Sequence, residues 1–213
     1  MRRLERELFP ANDGRHEPLR ALERADLPLA PVALARFLIG VTLVRRLARQ
    51  TMTARIVETE AYIAGDPAGH GFNGRTNRNA AIFSERGHAY IYQIYGVWWC
   101  LNVSAGKAGE GVGVLIRAAE PLTGLTAMQR RRPDVGPRDL LRGPGRLCQS
   151  LAIDGGLDGI DLTQSDALWL SARRPPKEVG KSARIGLTKA KDAVLRFYER
   201  GNPFVSGPAR LNV

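Results

Sequence analysis

The chain predicts an α+β fold in a single domain, and three observations carry that reading. Strand-like and helix-like segments are unevenly interspersed, without the strict strand–helix–strand alternation of a parallel sheet. No repeat, low-complexity tract or break in composition divides the 213 residues. The most β-rich stretch, His88–Val103 (HAYIYQIYGVWWCLNV), is aromatic on both sides of Gly96 and reads as a hairpin.

The elements follow in order. Residues 1–27 are charged and contain Pro10, Gly14 and Pro18, which predicts a basic, loosely ordered arm ahead of one domain over 28–213. Pro31–Ile39 carries Val32, Leu34, Ala35, Leu38 and Ile39 at helical spacing. Pro31 suits its first turn and Gly40 its C-cap. Thr42–Leu47 and Thr53–Ile63 read as neighbouring strands joined by a short polar turn. Gly71–Asn79 (GFNGRTNRN) is a polar loop holding Arg75 and Arg78. Val112–Ala118 reads as a buried strand and Leu122–Arg131 as a helix. Arg142–Arg146 (RGPGR) opens a helix running to Ile153, whose free N–H groups suit an anion. Asp161–Leu170 and Arg184–Leu187 read as short elements, and Arg196–Tyr198 as the last strand.

The chemistry concentrates in Arg55–His70 (RIVETEAYIAGDPAGH). Strand alternation places Ile56, Glu58, Glu60 and Tyr62 on one face and Arg55, Val57, Thr59 and Ala61 on the other. The strand then runs into Gly65, Asp66, Pro67 and Gly69, which is turn chemistry, and His70 follows. An edge strand with a solvated acidic face is the ordinary explanation for such a pattern. The hairpin argues for more. Tyr90 and Tyr92 alternate with Ile91, which predicts aromatics on one face and aliphatics on the other. Tyr95, beside Gly96, falls at the tip, where an aromatic has little core to join. A tip aromatic flanked by basic loops fits a wedge between stacked bases, and aromatic platforms suit a flipped base.

Charge and composition agree with a polyanionic partner. Lys and Arg number 32 against 21 Asp and Glu, a net charge of +11, and arginine dominates the basic count as suits phosphate clamping. Cys100 and Cys148 have no close partner and no metal-ligand spacing, which favours a reduced, intracellular protein. Pro31–Val44 is too short to span a bilayer and is interrupted by Arg36 and Gly40. No apolar leader region follows Arg2 and Arg3, because Glu5, Arg6 and Glu7 come at once. A cytoplasmic, nucleoid-associated protein without membrane contact is expected.

These motifs, taken together and in order, resemble the alkyladenine (3-methyladenine) DNA glycosylases of the methylpurine type. The resemblance rests on RIVETEAY at Arg55–Tyr62, His70, the Arg78–Asn79 loop and YIYQIYGVWWCLNVS at Tyr90–Ser104. It continues through GVLIRAAEPL at Gly113–Leu122, GPGRLCQSLAI at Gly143–Ile153, and RFY with GNPFVS near the C-terminus. It implies a curved mixed or antiparallel sheet with flanking helices and a protruding β-hairpin. It also implies a monofunctional enzyme that flips alkylated or deaminated purines out of duplex DNA and hydrolyses the N-glycosidic bond. By resemblance, Glu60 matches the base that activates water, and Arg117 an arginine that holds the catalytic region. Tyr62, His70 and Tyr92 match the residues that sandwich the extruded base. Asn102 matches a pocket asparagine that rejects guanine-type bases, Leu115 a pocket-lining residue, and Tyr95 the intercalating wedge. Arg75, Arg78, Arg142 and Arg146 are candidates for the DNA backbone. No metal or cofactor is implied, the partner is double-stranded DNA with damaged purines, and a monomer is expected.

The chemistry suits one carboxylate. An N-alkylated purine is a cationic, good leaving group, so the acid of the usual carboxylate pair matters less. Glu58 then reads as a structural partner of an arginine. A metal site built on Glu58, Glu60 and His70 lacks ligand spacing. A non-catalytic lesion binder on the same scaffold is the alternative, and it has no need of Glu60. The chain departs from the family pattern at Gly71, where serine is usual, at Val97, where a larger residue is usual, and in a Tyr62–His70 loop one residue shorter than in mammalian members.

Overall fold

The computed structural model describes residues 19–212. Residues 1–18 of the expected arm lie outside them. The described residues form eight strands and three α-helices. The strands are β1 (Val41–Leu47), β2 (Gln50–Tyr62), β3 (Ala89–Ile94), β4 (Trp98–Ala105), β5 (Val112–Thr123), β6 (Leu168–Arg173), β7 (Val179–Ser182) and β8 (Arg196–Glu199). The helices are α1 (Pro31–Leu38), α2 (Leu125–Arg131) and α3 (Pro144–Leu151). All eight strands join one sheet in the order β3-β4-β5-β2-β1-β6, with β8 on β2 and β7 on β8. Every pairing is antiparallel, so the mixed alternative is set aside. The sheet is open and does not roll up on itself.

One face of the sheet carries the main core. Leu34 and Leu38 of α1, Met128 of α2, and Leu147 and Leu151 of α3 pack there against Leu43, Ile56, Leu101, Val114 and Ile116. The helix spacing of the apolar residues explains each contact, and Pro31 and Pro144 each open a helix where a missing N–H costs nothing. Each fully buried Leu or Ile of this layer contributes on the order of 1.5–3 kcal/mol. The opposite face is left for polar chemistry.

β2 is the centre of that arrangement. Its first half pairs with β1 and its second half, at Glu58, Thr59 and Glu60, with β8, while β5 runs along its other edge. The simple alternation expected for Arg55–Tyr62 does not hold. The β2–β5 register shifts on both sides of Glu58. Ile56 and Ala119 lie in the main core, whereas Val57 and Ala118 join a second cluster with Tyr198, Phe204 and Val205. Thr59 then returns to the helix face, where its hydroxyl donates to the Ala35 carbonyl at 2.9 Å. Val57–Glu58 on β2 and Arg117–Ala118 on β5 thus each turn two consecutive residues to the same face. Ile56 is separated from Glu58, Glu60 and Tyr62, and the two charged residues of the bulge, Glu58 and Arg117, are brought face to face.

Other boundaries move for local reasons. β5 continues past Ala118 to Thr123, through Pro121. Proline is tolerated there because β4 pairs with β5 only as far as Leu115, so the far edge is free of a strand ladder. α2 accordingly starts at Leu125. Arg184–Leu187 is a loop, and β7 was not legible as a strand. Residues 19–27 are docked: Trp169 Nε1 donates to the Leu19 carbonyl at 2.8 Å, Ser171 Oγ donates to the Arg20 carbonyl at 2.7 Å, and Leu27 is buried. No helix among the described residues is long and apolar enough to cross a membrane.

Candidate active site

Four strands align one row of side chains across the polar face. Glu60 on β2 is opposite Leu115 on β5, Leu115 opposite Asn102 on β4, and Asn102 opposite Tyr90 on β3. At about 4.8 Å per strand the row spans roughly 14 Å. In the next row, Tyr62 faces Gly113, which has no side chain. A Cβ on Gly113 would sit 2.3 Å from Ile82 Cδ1, so the site requires glycine at that point. The space so kept is a cavity lined by Tyr62, His70, Ile82, Tyr90, Tyr92, Asn102 and Leu187, among others.

Glu60 is fully buried and bonded to the cavity-lining Tyr62, with both oxygens held. Its Oε1 accepts the Ile185 backbone N–H at 2.8 Å and lies 3.1 Å from Arg117 Nη1. Its Oε2 accepts the Tyr62 hydroxyl at 3.1 Å. Burial, followed by the nearby Glu60 charge, pushes the Tyr62 phenol far above its ordinary range, so it remains a hydrogen-bond donor. Burial pulls the Arg117 guanidinium down, but Glu60 and Glu58 outweigh it and hold the group above its ordinary value. Glu58 is equally buried. Burial pushes its carboxyl up, yet Arg117 and Arg196 more than offset this and hold it below the ordinary carboxylate range.

The aromatic wall comes from β3 and the loop after β2. His70 and Tyr92 rings are 4.2 Å apart and tilted, and the Tyr90 and Tyr92 rings stack at 5.4 Å. Such contacts contribute about 0.5–1.5 kcal/mol each beyond area burial. His70 Nδ1 shares a 2.7 Å hydrogen bond with the Tyr90 hydroxyl, and the His70 carbonyl accepts Asn79 Nδ2 at 2.8 Å. Asn102 Nδ2 donates to the Tyr90 carbonyl at 3.2 Å, which fixes the amide against the pocket wall. Gly71 packs against Gly111, where a Cβ would meet the Gly111 carbonyl oxygen at 2.0 Å. That close approach explains why serine is absent after His70.

Partial burial, then the Arg78 charge, lowers the His70 pKa below the ordinary histidine value. The fold therefore favours the neutral ring. Its contribution to stability is complete above about pH 6.5 and is lost as the pH falls below that value. An NMR titration of the imidazole is expected to give a midpoint below 6.5. Arg78→Ala is expected to raise it, and an unchanged midpoint would remove Arg78 as a cause.

Tyr95 stands at the hairpin tip, 89% exposed. It holds φ 52° beside Gly96 at φ 67°, and the Val97 N–H closes the turn on the Ile94 carbonyl at 3.1 Å. A left-handed tyrosine costs about 1–2 kcal/mol. Tyr95→Asn, which tolerates that backbone, is expected to raise stability by about 0.5–1 kcal/mol while weakening the affinity for a lesion-bearing duplex. A thermal melt and a titration of the same variant check both, and a fall in stability would show that the ring is held by packing. Val97 and Trp98 flank the tip and are exposed as well, and the start of α3 abuts Trp98 at Gly145.

The candidate backbone arginines divide. Arg75 and Arg78 are exposed in the loop that follows His70. Arg146 is half exposed, its nearest carboxylate oxygen 4.0 Å away on Asp139. Arg142 is committed inward, to Asp139 at 2.6 Å and the Val205 carbonyl at 3.2 Å. Tyr62, His70, Tyr92 and Asn102 thus line one cavity, Glu60 and Arg117 adjoin it through the Tyr62 hydroxyl without lining it, and Tyr95 stands at a separate tip. Leu115 is buried between Glu60 and Asn102 in the row and is not among the cavity-lining residues.

Sequence reasoning missed the loop between β7 and β8. Ile185 holds Glu60, Leu187 lines the cavity, and Arg184 lies 4.6 Å over the Tyr62 ring. Arg184 is buried on Asp66, through Nη1 to Oδ2 and Nη2 to Oδ1 at 3.0 Å. Arginine placed against a buried Asp from the turn after TEAY is a signal no local pattern carries. Among the described residues no three His, Cys, Asp or Glu side chains are grouped to hold a metal.

An acid-bearing strand, an aromatic cavity and an exposed tip aromatic on a basic protein are features that suit a base-excising class of enzyme. The comparisons place it within that class: residues 26–203 match the methylpurine-DNA glycosylase (MPG) family, and the chain belongs to it. A protein of Mesorhizobium japonicum is 53% identical over 92% of this chain and 93% of its own length. A second, from Paraburkholderia phytofirmans, is 47% identical over 92% of each chain, and one from Methanoculleus marisnigri 44% over 82% of this chain and 93% of its own. Each of the three is provisionally named a 3-methyladenine DNA glycosylase. As a DNA glycosylase of this family the chain is a hydrolase of N-glycosyl bonds in base excision repair.

Proposed function

We propose that the protein flips alkylated or deaminated purines from duplex DNA and hydrolyses the glycosidic bond with a water activated by Glu60. The observation that carries this reading is Glu60 itself. It is a fully buried carboxylate bonded to the cavity-lining Tyr62 and held by three donors, the Tyr62 hydroxyl, the Ile185 N–H and Arg117. The Tyr62 ring and the His70–Tyr92 pair accept the base on its two faces, and a neutral His70 avoids repulsion with a cationic alkylpurine. Asn102 excludes bases with an exocyclic amine at its position. Tyr95 fills the gap left in the duplex, while Arg75, Arg78 and Arg146 meet phosphates.

The catalytic sequence is short. Glu60 takes a proton from water as the sugar develops oxocarbenium character, and its negative charge steadies that sugar. Arg117 holds Glu60 in place. The departing cationic alkylated base leaves neutral and needs no general acid, whereas a neutral lesion such as hypoxanthine takes a proton on leaving, delivered through water. Single-turnover base release from duplexes carrying 3-methyladenine, hypoxanthine or ethenoadenine, with wild type beside Glu60→Gln, tests the reading. Release by wild type alone supports it, and binding without release by either protein turns the site into a lesion sensor. The protein is proposed to act as a monomer in the cytoplasm, at the nucleoid.

A further inference from the structure

Arg117 has a second carboxylate partner that the reaction does not use. Its Nε donates to Glu58 Oε1 at 2.8 Å while its Nη1 reaches Glu60. Glu58 is fully buried and lines no part of the cavity. The same Oε1 accepts Arg196 Nε at 2.7 Å, and Oε2 accepts the Ser206 N–H at 2.6 Å. Arg196, also fully buried, continues to Ser182 Oγ at 2.8 Å, to the Ser206 carbonyl at 3.0 Å and to Asn212 Oδ1 at 2.7 Å. Two carboxylates and two guanidinium groups are thereby joined in one cluster. Ser206 and Asn212 lie beyond the family match, which ends at residue 203.

The geometry points to Glu58 as a positioning residue for catalysis, which fixes Arg117 on Glu60 and is itself braced by Arg196 and the segment Ser206–Asn212. The inference rests on Glu60 being the base. A guanidinium is a rigid planar head, so anchoring one of its donors orients the others. With Glu58 neutral, Arg117 loses the charged anchor of its Nε. Its head is then free to shift on Glu60, and the oxygen that should receive the proton is misplaced. A displacement of about 1 Å costs up to about 100-fold in rate.

The test is a double-mutant cycle on full-length protein, read as the single-turnover rate constant per active site, with burst amplitude counting active molecules. Glu58→Gln is expected to slow excision about 30- to 100-fold with lesion-duplex affinity unchanged. In an Arg117→Gln background the same change is expected to cost nothing further, because Glu58 acts through Arg117. Asn212→Ala, at the rim of the brace, is expected to slow the rate constant a few-fold and decides the matter if Glu58→Gln does not fold. Independent, multiplicative losses in the cycle overturn the inference. So does a Glu58→Gln protein that loses only burst amplitude or melting temperature. Glu60→Gln in the same assay separates the two claims: if it retains activity, the base assignment fails, and if it is dead while Glu58→Gln is normal, only the positioning role fails.

Discussion

Replacing Glu60 by glutamine is expected to lower single-turnover base release by about 10²–10⁴-fold, the range a general base supplies. Glutamine keeps the size of the side chain, and its carbonyl oxygen can still accept the Ile185 N–H that now lies 2.8 Å from Oε1. It cannot accept a proton from water or balance Arg117, 3.1 Å away. The binding surfaces are separate from this change. Tyr95, Arg75 and Arg78 are exposed and do not depend on the carboxylate. Affinity for a lesion-bearing duplex should therefore survive within a few-fold, and electrophoretic or anisotropy titration beside the rate measurement checks it. Excision at more than about a tenth of the wild-type rate would place the base elsewhere.

Asp66→Asn is expected to destabilise the protein by about 3–5 kcal/mol, because it leaves Arg184 buried without its counter-charge. For a chain of this length that corresponds to a melting temperature lower by roughly 8–15 °C. Arg184 is only 4% exposed, and its two terminal nitrogens both end on Asp66, with a further bond of 3.1 Å to the Ala61 carbonyl. The next residue, Ile185, holds Glu60, and the Arg184 head covers the Tyr62 ring. Loss of the pair should thus also slow excision, by loosening the loop that seats the base. Removing both charges with Asp66→Leu and Arg184→Met is expected to recover most of the stability, since apolar replacement of a buried pair is often neutral. A single variant that melts with wild type would show that Arg184 finds water instead.

The local parts of this site were legible in the sequence. Tyr90, Tyr92, Tyr95 and Gly96 announce a hairpin with an aromatic face and a tip, because strand alternation and turn chemistry act over a few residues. TEAY followed by a Gly-Asp-Pro turn announces acids on a strand leading into a loop. The misplaced face of Ile56 was not legible. Neither glycine nor proline marks the bulge at Val57–Glu58; it arises where β2 exchanges β1 for β8 and Arg117 must turn with Glu58. The Arg184–Leu187 loop was invisible for a similar reason. Ile185 meets Glu60 across 125 positions, and no pattern within either segment encodes the meeting.

The split in β2 has a consequence for the protein's making. The strand is synthesised before the groups that complete its second half: β8, the Ile185 N–H and the Ser206 N–H, the last two 125 and 148 positions downstream of the acids they hold. The helix face of the sheet can assemble while translation proceeds. Two acids and an arginine on the other face wait for partners that are made later. The excision site is therefore completed after the sheet that carries it.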